Sequence, residues 1–430
     1  MEKKVTPVLL LTGYLGSGKT TLLNRILKNK KGIKFAVIVN DIGEVNIDAD
    51  LIAKGGVVNT GNDSLVALQN GCICCTLQTD LMQQISDLIS GDFDYIVIEA
   101  SGICEPEPIA QTICSMPAMA PELTKNGIPR LDAIVTVVDA LRLKSEFESG
   151  DSLTSGKVAE EDIESLVIQQ IEFCNIILLN KRSEVKPEDL HHIKEVVRAL
   201  QPRAEILDCD YCDVDLDKLL DTKLFNFEKT VTSATWIQEI EKPIEEIERE
   251  EHEHHSHEDE QGHHHHHEEE HDHHHDDDDE DHSDCDHEHG VCHHHHHHHH
   301  HDGEGHTEEY GIGTFVYFRR KPFDINKFDW FVAKQWPKNV IRAKGICYFS
   351  DEKDMSYLFE QAGVQKKLTE AGRWYATAPE EELQQILARE PGLMKDWDPE
   401  YGDRMQKIVF IGQHLDREEI TELLDECLDK

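Results

Sequence analysis

Three cysteines within four positions mark the segment of this sequence best suited to metal chemistry. Cys72, Cys74 and Cys75 stand in NGCICCTL, residues 70–77. A single cysteine is most often a core residue. Neighbouring residues of an extended segment point in different directions, however, so three close thiols are better suited to coordinating one metal ion together than to packing in one core. Soft thiolates favour zinc, copper(I) or iron–sulfur over magnesium or calcium. A redox site and plain buried sulfur remain alternatives.

A second stretch has the pattern of a phosphate-binding loop. GYLGSGKT matches G-x-x-x-x-G-K-[ST] from Gly13 to Thr20, after an apolar run and before a helical pattern. Its glycines let backbone N–H groups close around phosphate oxygens, Lys19 neutralises the β and γ phosphates, and Thr20 offers a hydroxyl to Mg²⁺. The predicted nucleotide-binding residues here are Gly13, Gly16, Ser17, Gly18, Lys19, Thr20 and Thr21.

Acidic side chains follow two further apolar runs. Glu99 ends YIVIE, which places it at the carboxyl end of a predicted strand, where ligands bind in open α/β sheets. We expect Glu99 to hold Mg²⁺ together with Thr20 and to act with Lys19 in catalysis. The stretch NDIGEVNID, residues 40–48, follows another run and contains Asp41, a candidate catalytic acid. Solvated loop acids would explain this second stretch equally well.

The stretch LLNKRSEV predicts a loop that reads the base. Asn180 would contact the base, and Lys181 would lie along it. In the usual N-K-x-D pattern the Asp accepts two N–H donors from guanine, but here Ser183 stands at that position and Glu184 follows. A neutral hydroxyl cannot replace a bidentate carboxylate. Either Glu184 takes over or base selectivity is relaxed, and we expect GTP rather than ATP.

These residues require a scaffold of alternating strands and helices. Near-continuous apolar runs predict strands of a mostly parallel sheet covered on both faces: VTPVLLLTGY, KFAVIVN, FDYIVIEAS, LDAIVTVVDA and CNIILLNK. Helical patterns such as TTLLNRILKNK lie between them. The predicted fold class is α/β, with a doubly wound P-loop nucleoside triphosphatase domain over residues 1–236.

Composition then changes twice along the chain. Residues 237–309 are rich in His, Asp and Glu, and 26 of the 29 histidines lie between His252 and His306. With almost no apolar residues this segment predicts a disordered linker whose imidazoles bind Zn, Ni, Co or Cu weakly, as a reservoir. Strand and helix patterns return over residues 310–430 and predict a small α+β domain with an antiparallel sheet.

Charge and cysteine content limit the partners and the compartment. The net charge is −43, and 26 of these excess negative charges lie between Glu239 and Glu309. Such acidity argues against a nucleic-acid partner. No signal peptide and no apolar run of membrane length is visible, so we expect no membrane contact and a cytoplasmic protein with reduced thiols. The oligomeric state cannot be read from the sequence.

Taken together, the motifs resemble those of the CobW-like P-loop GTPases, relatives of the nickel-insertion GTPases that mature hydrogenase and urease. The resemblance rests on GYLGSGKTT, NDIGEVNID, NGCICC, EASGICEP and LNKRSEV, and on VIRAKGI and GDRMQKIVFIGQHLD near the C-terminus. It implies a GTPase metallochaperone in which Cys72, Cys74 and Cys75 hold a transition metal. Delivery would be to a client metalloprotein, which we expect to dock through the C-terminal domain.

The sequence leaves open the identity of the metal and the role of one cysteine pair. Thiolates without a redox demand favour Zn²⁺, with Co²⁺ or Ni²⁺ as alternatives. A metal store with nucleotide-gated affinity, or a cobalt or nickel insertion factor, are the competing functions. The lone C-x-x-C of Cys209 and Cys212 fits a redox pair, half a zinc site or two unrelated thiols equally well.

Overall fold

The computed structural model describes residues 3–28, 32–39, 65–67, 78–91, 93–148, 158–251, 311–363, 365–389 and 391–429. The described parts of 1–243 and 306–430 form one compact unit. A second unit is Ile244–Gly305, of which the structure describes a helix, residues 244–251. The three-domain division expected from composition stays a prediction.

The first sheet of the main unit has seven strands, parallel at every pairing, in the order β3-β2-β4-β1-β5-β6-β7. The strands are β1 (Val5–Thr12), β2 (Phe35–Val39), β3 (Leu65–Ala67), β4 (Tyr95–Glu99), β5 (Ile128–Asp139), β6 (Ile176–Asn180) and β7 (Glu205–Asp208). Because β1 lies at the centre, the loop that follows it lies at the middle of the carboxyl edge, where such sheets bind ligands.

Helices connect these strands and cover the sheet. They are α1 (Lys19–Leu27), α2 (Gln78–Ile89), α3 (Pro106–Met119), α4 (Ala140–Glu148), α5 (Val158–Glu172), α6 (Pro187–Leu200), α7 (Phe227–Val231) and α8 (Thr235–Ile240). Every residue of β2, β4 and β6 is buried, as expected for strands covered on both faces. The predicted doubly wound α/β fold is therefore confirmed.

The second sheet is antiparallel, with five strands in the order β11-β10-β9-β12-β8. Its elements are β8 (Ile312–Arg319), α9 (Ile325–Trp330), β9 (Val340–Cys347), β10 (Met355–Ala362), β11 (Gln365–Arg373), α10 (Glu380–Arg389), β12 (Gln406–Gln413) and α11 (Arg417–Glu426). An aromatic core that includes Phe315, Phe328 and Phe410 also takes in Ile420 and Leu424 of α11. The predicted α+β domain is confirmed.

A buried ion pair joins this second sheet to the helices of the first. Arg342 of β9 contacts Glu172, the last residue of α5, through Nε–Oε1 at 2.8 Å and Nη2–Oε2 at 3.1 Å. Lys344 on the same strand pairs with Glu360 at 2.6 Å and lies 4.1 Å from the centre of the Trp236 ring. A bidentate arginine–carboxylate pair fixes geometry as well as charge, so it holds the two parts in one arrangement.

A bilayer-spanning helix is not found in the described part of the chain, where no helix combines the length and apolar character that crossing requires.

Candidate nucleotide and metal site

The phosphate-binding loop connects the central strand β1 to helix α1. Gly13 and Gly18 have φ angles of +132° and +117°, which side-chain-bearing residues rarely adopt. A Cβ on Gly13 would lie 2.2 Å from the Val137 carbonyl oxygen, so β5 excludes any side chain there. The loop closes through the Ser17 N–H, which donates to the Tyr14 carbonyl at 3.2 Å. The backbone is therefore shaped as a concave loop that can receive an anion.

Replacing Gly18 with alanine is expected to weaken GTP binding by about tenfold or more, because steric strain of ~1–3 kcal/mol would distort the loop. The new Cβ would lie 2.5 Å from Asn180 Nδ2 and 3.0 Å from Cys212 Sγ. Titration with a fluorescent GTP analogue measures the effect. Gly16→Ala is the matched control, since Gly16 also has a positive φ, +79°, but no atom lies within 4 Å of its added Cβ. Equal losses in both variants would contradict this account of Gly18.

Thr20 and Glu99 meet at the carboxyl ends of two adjacent strands. Thr20 lies in the first turn of α1, and Glu99 ends β4, which pairs with β1 in the register Leu11↔Glu99. Thr20 Oγ1 donates to Glu99 Oε1 at 3.2 Å, and Glu99 is 1% exposed. A hydroxyl and a carboxylate oxygen are hard ligands of the kind that Mg²⁺ takes beside nucleotide phosphates. The structure thus brings together two residues that the sequence predicts to share a magnesium ion.

The side chain of Lys19 is drawn back against its own loop. Its Nζ donates to the Tyr14 carbonyl at 3.2 Å, and the residue is 6% exposed. The Arg142 guanidinium lies 4.2 Å from the centre of the Tyr14 ring. A buried ammonium group is stabilised by hydrogen bonds and by anions, so a phosphate in the loop would be a favourable partner for it. Thr21, the next predicted residue after Thr20, is exposed in the first turn of α1.

The segment after β4 packs directly on the phosphate-binding loop. A Cβ on Gly102 would lie 2.7 Å from the Leu15 backbone nitrogen, so the two loops are in close contact. Gln170 of α5 holds this segment from the other side, because its Nε2 donates to the carbonyls of Gly102 and Cys104 at 3.4 and 3.1 Å. Nothing in the sequence pattern singles out Gln170, one of two adjacent glutamines in a helix.

The predicted base-reading residues adjoin the same loop. Asn180 ends β6 and is 3% exposed. Its Nδ2 donates to the Ser17 carbonyl at 2.8 Å, and its Oδ1 accepts the Cys212 N–H at 3.0 Å. Lys181 Nζ donates to Asp139 Oδ2 at the end of β5, at 2.5 Å. Asn180 therefore ties the phosphate-binding loop to the loop after β7, and Lys181 extends across the neighbouring strand end.

Ser183 is held by an acid from another loop. Its backbone N–H and its Oγ both donate to Asp210 Oδ1 at 2.9 Å, and Arg182 Nε donates to Oδ2 at 3.2 Å. These hydrogen bonds, that of the Ser183 backbone first, lower the pKa of Asp210 below its ordinary value, so the carboxylate is ionised. Asp210 stands 27 residues after Ser183, between the cysteines of the C-x-x-C pair, and the sequence alone does not identify it as a partner of Ser183.

The C-x-x-C pair lies in the core under the phosphate-binding loop. Cys209 is 2% exposed, Cys212 is fully buried, and Cys212 Sγ donates to the Gly18 carbonyl at 3.4 Å. A hydrogen bond with Cys209, together with burial, raises the pKa of Cys212, so this sulfur stays a neutral thiol. Across the described ranges, no cluster of three or more His, Cys, Asp or Glu side chains could hold a metal ion. The described surroundings of this pair thus supply no further ligand for a zinc site.

The predicted transition-metal ligands lie outside the described residues. Cys72, Cys74 and Cys75 fall between β3 and α2, and Asp41 falls between β2 and β3. Their roles stay predictions.

Two family matches correspond to the two sheets. Residues 7–208 match the family described as CobW/HypB/UreG, nucleotide-binding domain, and residues 312–428 match the cobalamin synthesis protein cobW C-terminal domain. A Dictyostelium discoideum protein named zinc-regulated GTPase metalloprotein activator 1 is 32% identical over 439 residues, covering 98% of this chain and 79% of that protein. The chain belongs to the CobW family. The resemblance seen in the motifs is confirmed.

Other relatives match over about half of this CobW protein. A Saccharomyces cerevisiae protein, also named zinc-regulated GTPase metalloprotein activator 1, is 32% identical over 236 residues, covering 52% of this chain and 53% of that protein. Zinc chaperone YjiA of Escherichia coli is 33% identical over 235 residues, covering 53% of this chain and 64% of its own length.

Proposed function

We propose that this CobW protein is a GTP-hydrolysing metallochaperone that binds zinc at Cys72, Cys74 and Cys75 and delivers it to a client metalloprotein. The observation that carries the proposal is the contact between Thr20 and Glu99 at the phosphate-binding loop. A metal store needs no such magnesium and phosphate apparatus. The names of the relatives, zinc-regulated GTPase metalloprotein activator and zinc chaperone, support the same assignment.

Different groups of the described site would bind different parts of the nucleotide. The backbone between Gly13 and Gly18 would hold the phosphates, and Lys19 would leave the Tyr14 carbonyl to neutralise the β and γ oxygens. Thr20 and Glu99 would hold Mg²⁺, which when bound neutralises charge on the phosphate oxygens. Because these groups are positioned before the reaction, they stabilise the charge that develops during transfer to water.

The order of strands supports coupling between the cysteines and the nucleotide. Residue Val39 of β2 pairs with Glu99 on one side and with Ala67 of β3 on the other. Ala67 is thus about 10 Å from Glu99 at the same edge of the sheet, two strand spacings away. The cysteine segment follows Ala67 directly in the chain, and Gln78 begins the next helix. A change in the nucleotide phosphates can therefore act on a segment attached close to them.

Incomplete coordination would allow transfer. Three thiolates leave one position of a tetrahedral zinc site for a further ligand, such as Asp41, solvent or a client side chain. A closed site of four cysteines would retain zinc structurally, whereas an open one releases it by ligand exchange. The histidines of residues 237–309 would raise the local zinc concentration near this site.

We place client docking on the C-terminal domain. Among the described strands, β11 is an edge strand of the second sheet and pairs with β10 alone. Residues 367–373 are exposed along its length. An open strand edge offers backbone groups to which a partner strand can be added. The same proposal places the protein in the cytoplasm, where its cysteines stay reduced.

Zinc-dependent GTP turnover tests this function. Phosphate release from GTP is measured with the full chain, with and without one equivalent of zinc, for the wild type and for a variant with Cys72, Cys74 and Cys75 changed to serine. We expect zinc to change the wild-type rate about fivefold or more, in the range of typical coupling free energies, and to leave the variant unaffected. A wild-type rate of GTP hydrolysis that zinc does not change would favour the alternative function of a metal store.

A further inference from the structure

A carboxylate lies in the part of the site that is predicted to bind the base, although residue 183 is a serine and does not provide it. Asp210 comes from the turn after β7, and its Oδ1 accepts two hydrogen bonds from Ser183, both at 2.9 Å. Ser183 stands where an N-K-x-D motif has its own acid. Asp210 therefore lies beside the place from which that acid would act.

Pairing of two adjacent strands places the two loops side by side. β6 and β7 are parallel, with Leu179 opposite Asp208, so both chains leave the sheet at the same edge. Beyond the strands, the Cys209 N–H donates to the Leu179 carbonyl at 2.9 Å, and the Arg182 N–H donates to the Cys209 carbonyl at 3.2 Å. The proximity of Asp210 to Ser183 thus follows from the fold and not from a chance side-chain rotamer.

The turn that presents Asp210 is itself fixed to the nucleotide site. Tyr211 and Cys212 have φ angles of +52° and +53°, unfavourable for residues with side chains, and such conformations persist only where surrounding structure determines them. Here Cys212 N–H donates to Asn180 Oδ1 at 3.0 Å. The asparagine that holds the Ser17 carbonyl therefore also positions the turn that contains Asp210.

Asp210 retains the capacity to accept hydrogen bonds from a ligand. A carboxylate offers about four lone-pair directions, and the donors of Ser183 and Arg182 take three. The Arg182 side chain is 54% exposed, and ion pairs at such sites are weak, so a ligand donor can replace it. The rival acid Glu184 is exposed, and its N–H closes the local turn on the Lys181 carbonyl at 3.0 Å.

We propose that Asp210 selects guanine, accepting the N1–H and the N2 amino group of the base in place of the acid that position 183 lacks. The inference rests on the proposed function, because it presupposes a guanine nucleotide. Adenine has an unprotonated N1 and no amino group at C2, so this carboxylate would face an acceptor and reject adenine.

The test compares GTP with xanthosine triphosphate on the full chain. In Asp210→Asn the side-chain oxygen stays with the two Ser183 donors, so the amide NH₂ faces the base, where it opposes the guanine amino group and suits the xanthine C2 carbonyl. We expect the Kd for GTP to rise by about 50-fold and xanthosine triphosphate to become the tighter ligand. Competition against a fluorescent nucleotide measures both constants.

Two further variants make the result interpretable. Asp213→Asn changes an acid of the same loop that is 75% exposed and pairs with Arg25 at 2.7 Å, and it should leave the base preference unchanged. The double exchange Ser183→Asp with Asp210→Ser restores an acid at position 183 and should bind GTP within about fivefold of wild type, which guards against a folding defect in the single variant.

The outcomes separate this inference from the proposed function. If wild type binds GTP tightly while Asp210→Asn keeps its preference for GTP over xanthosine triphosphate, Asp210 does not select the base, although the GTPase assignment stands. If wild type prefers ATP, both the assignment and the inference are wrong. The inference is supported if Asp210→Asn prefers xanthosine triphosphate over GTP while wild type and Asp213→Asn prefer GTP.

Discussion

Replacing Lys19 with alanine is expected to lower the rate of GTP hydrolysis by about 100- to 1,000-fold, the usual loss when one preorganised electrostatic group is removed from a reaction centre. Lys19 is the cation of the phosphate-binding loop and is 6% exposed, so solvent screens it little. Its Nζ, now on the Tyr14 carbonyl, is within reach of any anion that the loop encloses. Phosphate release at saturating GTP, with the nucleotide Kd measured separately, shows whether binding or turnover is affected.

Lys28→Ala provides the matched control for this variant. Lys28 is an exposed lysine at the other end of α1, and its removal changes the net charge by the same amount. Its turnover should equal that of the wild type. A Lys19→Ala protein that hydrolyses GTP within a few-fold of wild type would show that the loop does not bind the reacting phosphates.

Changing Cys72, Cys74 and Cys75 together to serine is expected to weaken the tightest zinc site by about 1,000-fold or more. Zinc sites built on thiolates are worth roughly 10 kcal/mol or more at neutral pH, and serine hydroxyls do not ionise to replace them. The histidines of residues 237–309 will still bind zinc, so total stoichiometry alone is a poor measure. Competition with a chelator of nanomolar affinity removes zinc from these weak sites and reports the tight one.

Cys285→Ser with Cys292→Ser is the control, because both cysteines lie within the histidine-rich segment. This variant should keep the tight site. If the double variant loses the tight zinc site and the triple variant keeps it, the tight site lies in the histidine-rich segment. The cysteines of the C-x-C-C stretch would then be redox or core residues.

The sequence predicts the fold wherever strands are continuously apolar. Five strands of the first sheet, β1, β2, β4, β5 and β6, were predicted in this way, because their apolar residues form nearly continuous runs. The hairpin of β10 and β11 was missed, since Gln365–Arg373 is exposed and polar as an edge strand. β7 was also missed, because Glu205–Asp208 has only four residues, too few for a clear pattern.

Site residues were predictable where a motif spans a few positions. Gly13 to Thr20 follow β1, Glu99 ends β4 and Asn180 ends β6, and the structure places all of them at one edge of the sheet. Gln170 and Asp210 were missed, because their contacts depend on which strands and helices become neighbours. The serine at position 183 was the one indication of Asp210 in the sequence, because a base-reading motif without its aspartate suggests that another residue provides the carboxylate.

Cys209 and Cys212 show the limit of spacing as an indicator. Their C-x-x-C spacing is compatible with redox chemistry and with zinc, but both sulfurs lie in the core that also contains Leu22 and Leu219. Spacing does not reveal burial, whereas the structure does.

We expect nucleotide binding and zinc binding to be coupled in this protein, and zinc affinity in two nucleotide states tests this coupling most directly. The tight zinc Kd of the full chain is measured by chelator competition with a non-hydrolysable GTP analogue bound and with GDP bound. We expect the two constants to differ by about tenfold or more, with zinc shifting nucleotide affinity by the same factor. Equal zinc affinities in the two states would contradict a nucleotide-driven metallochaperone.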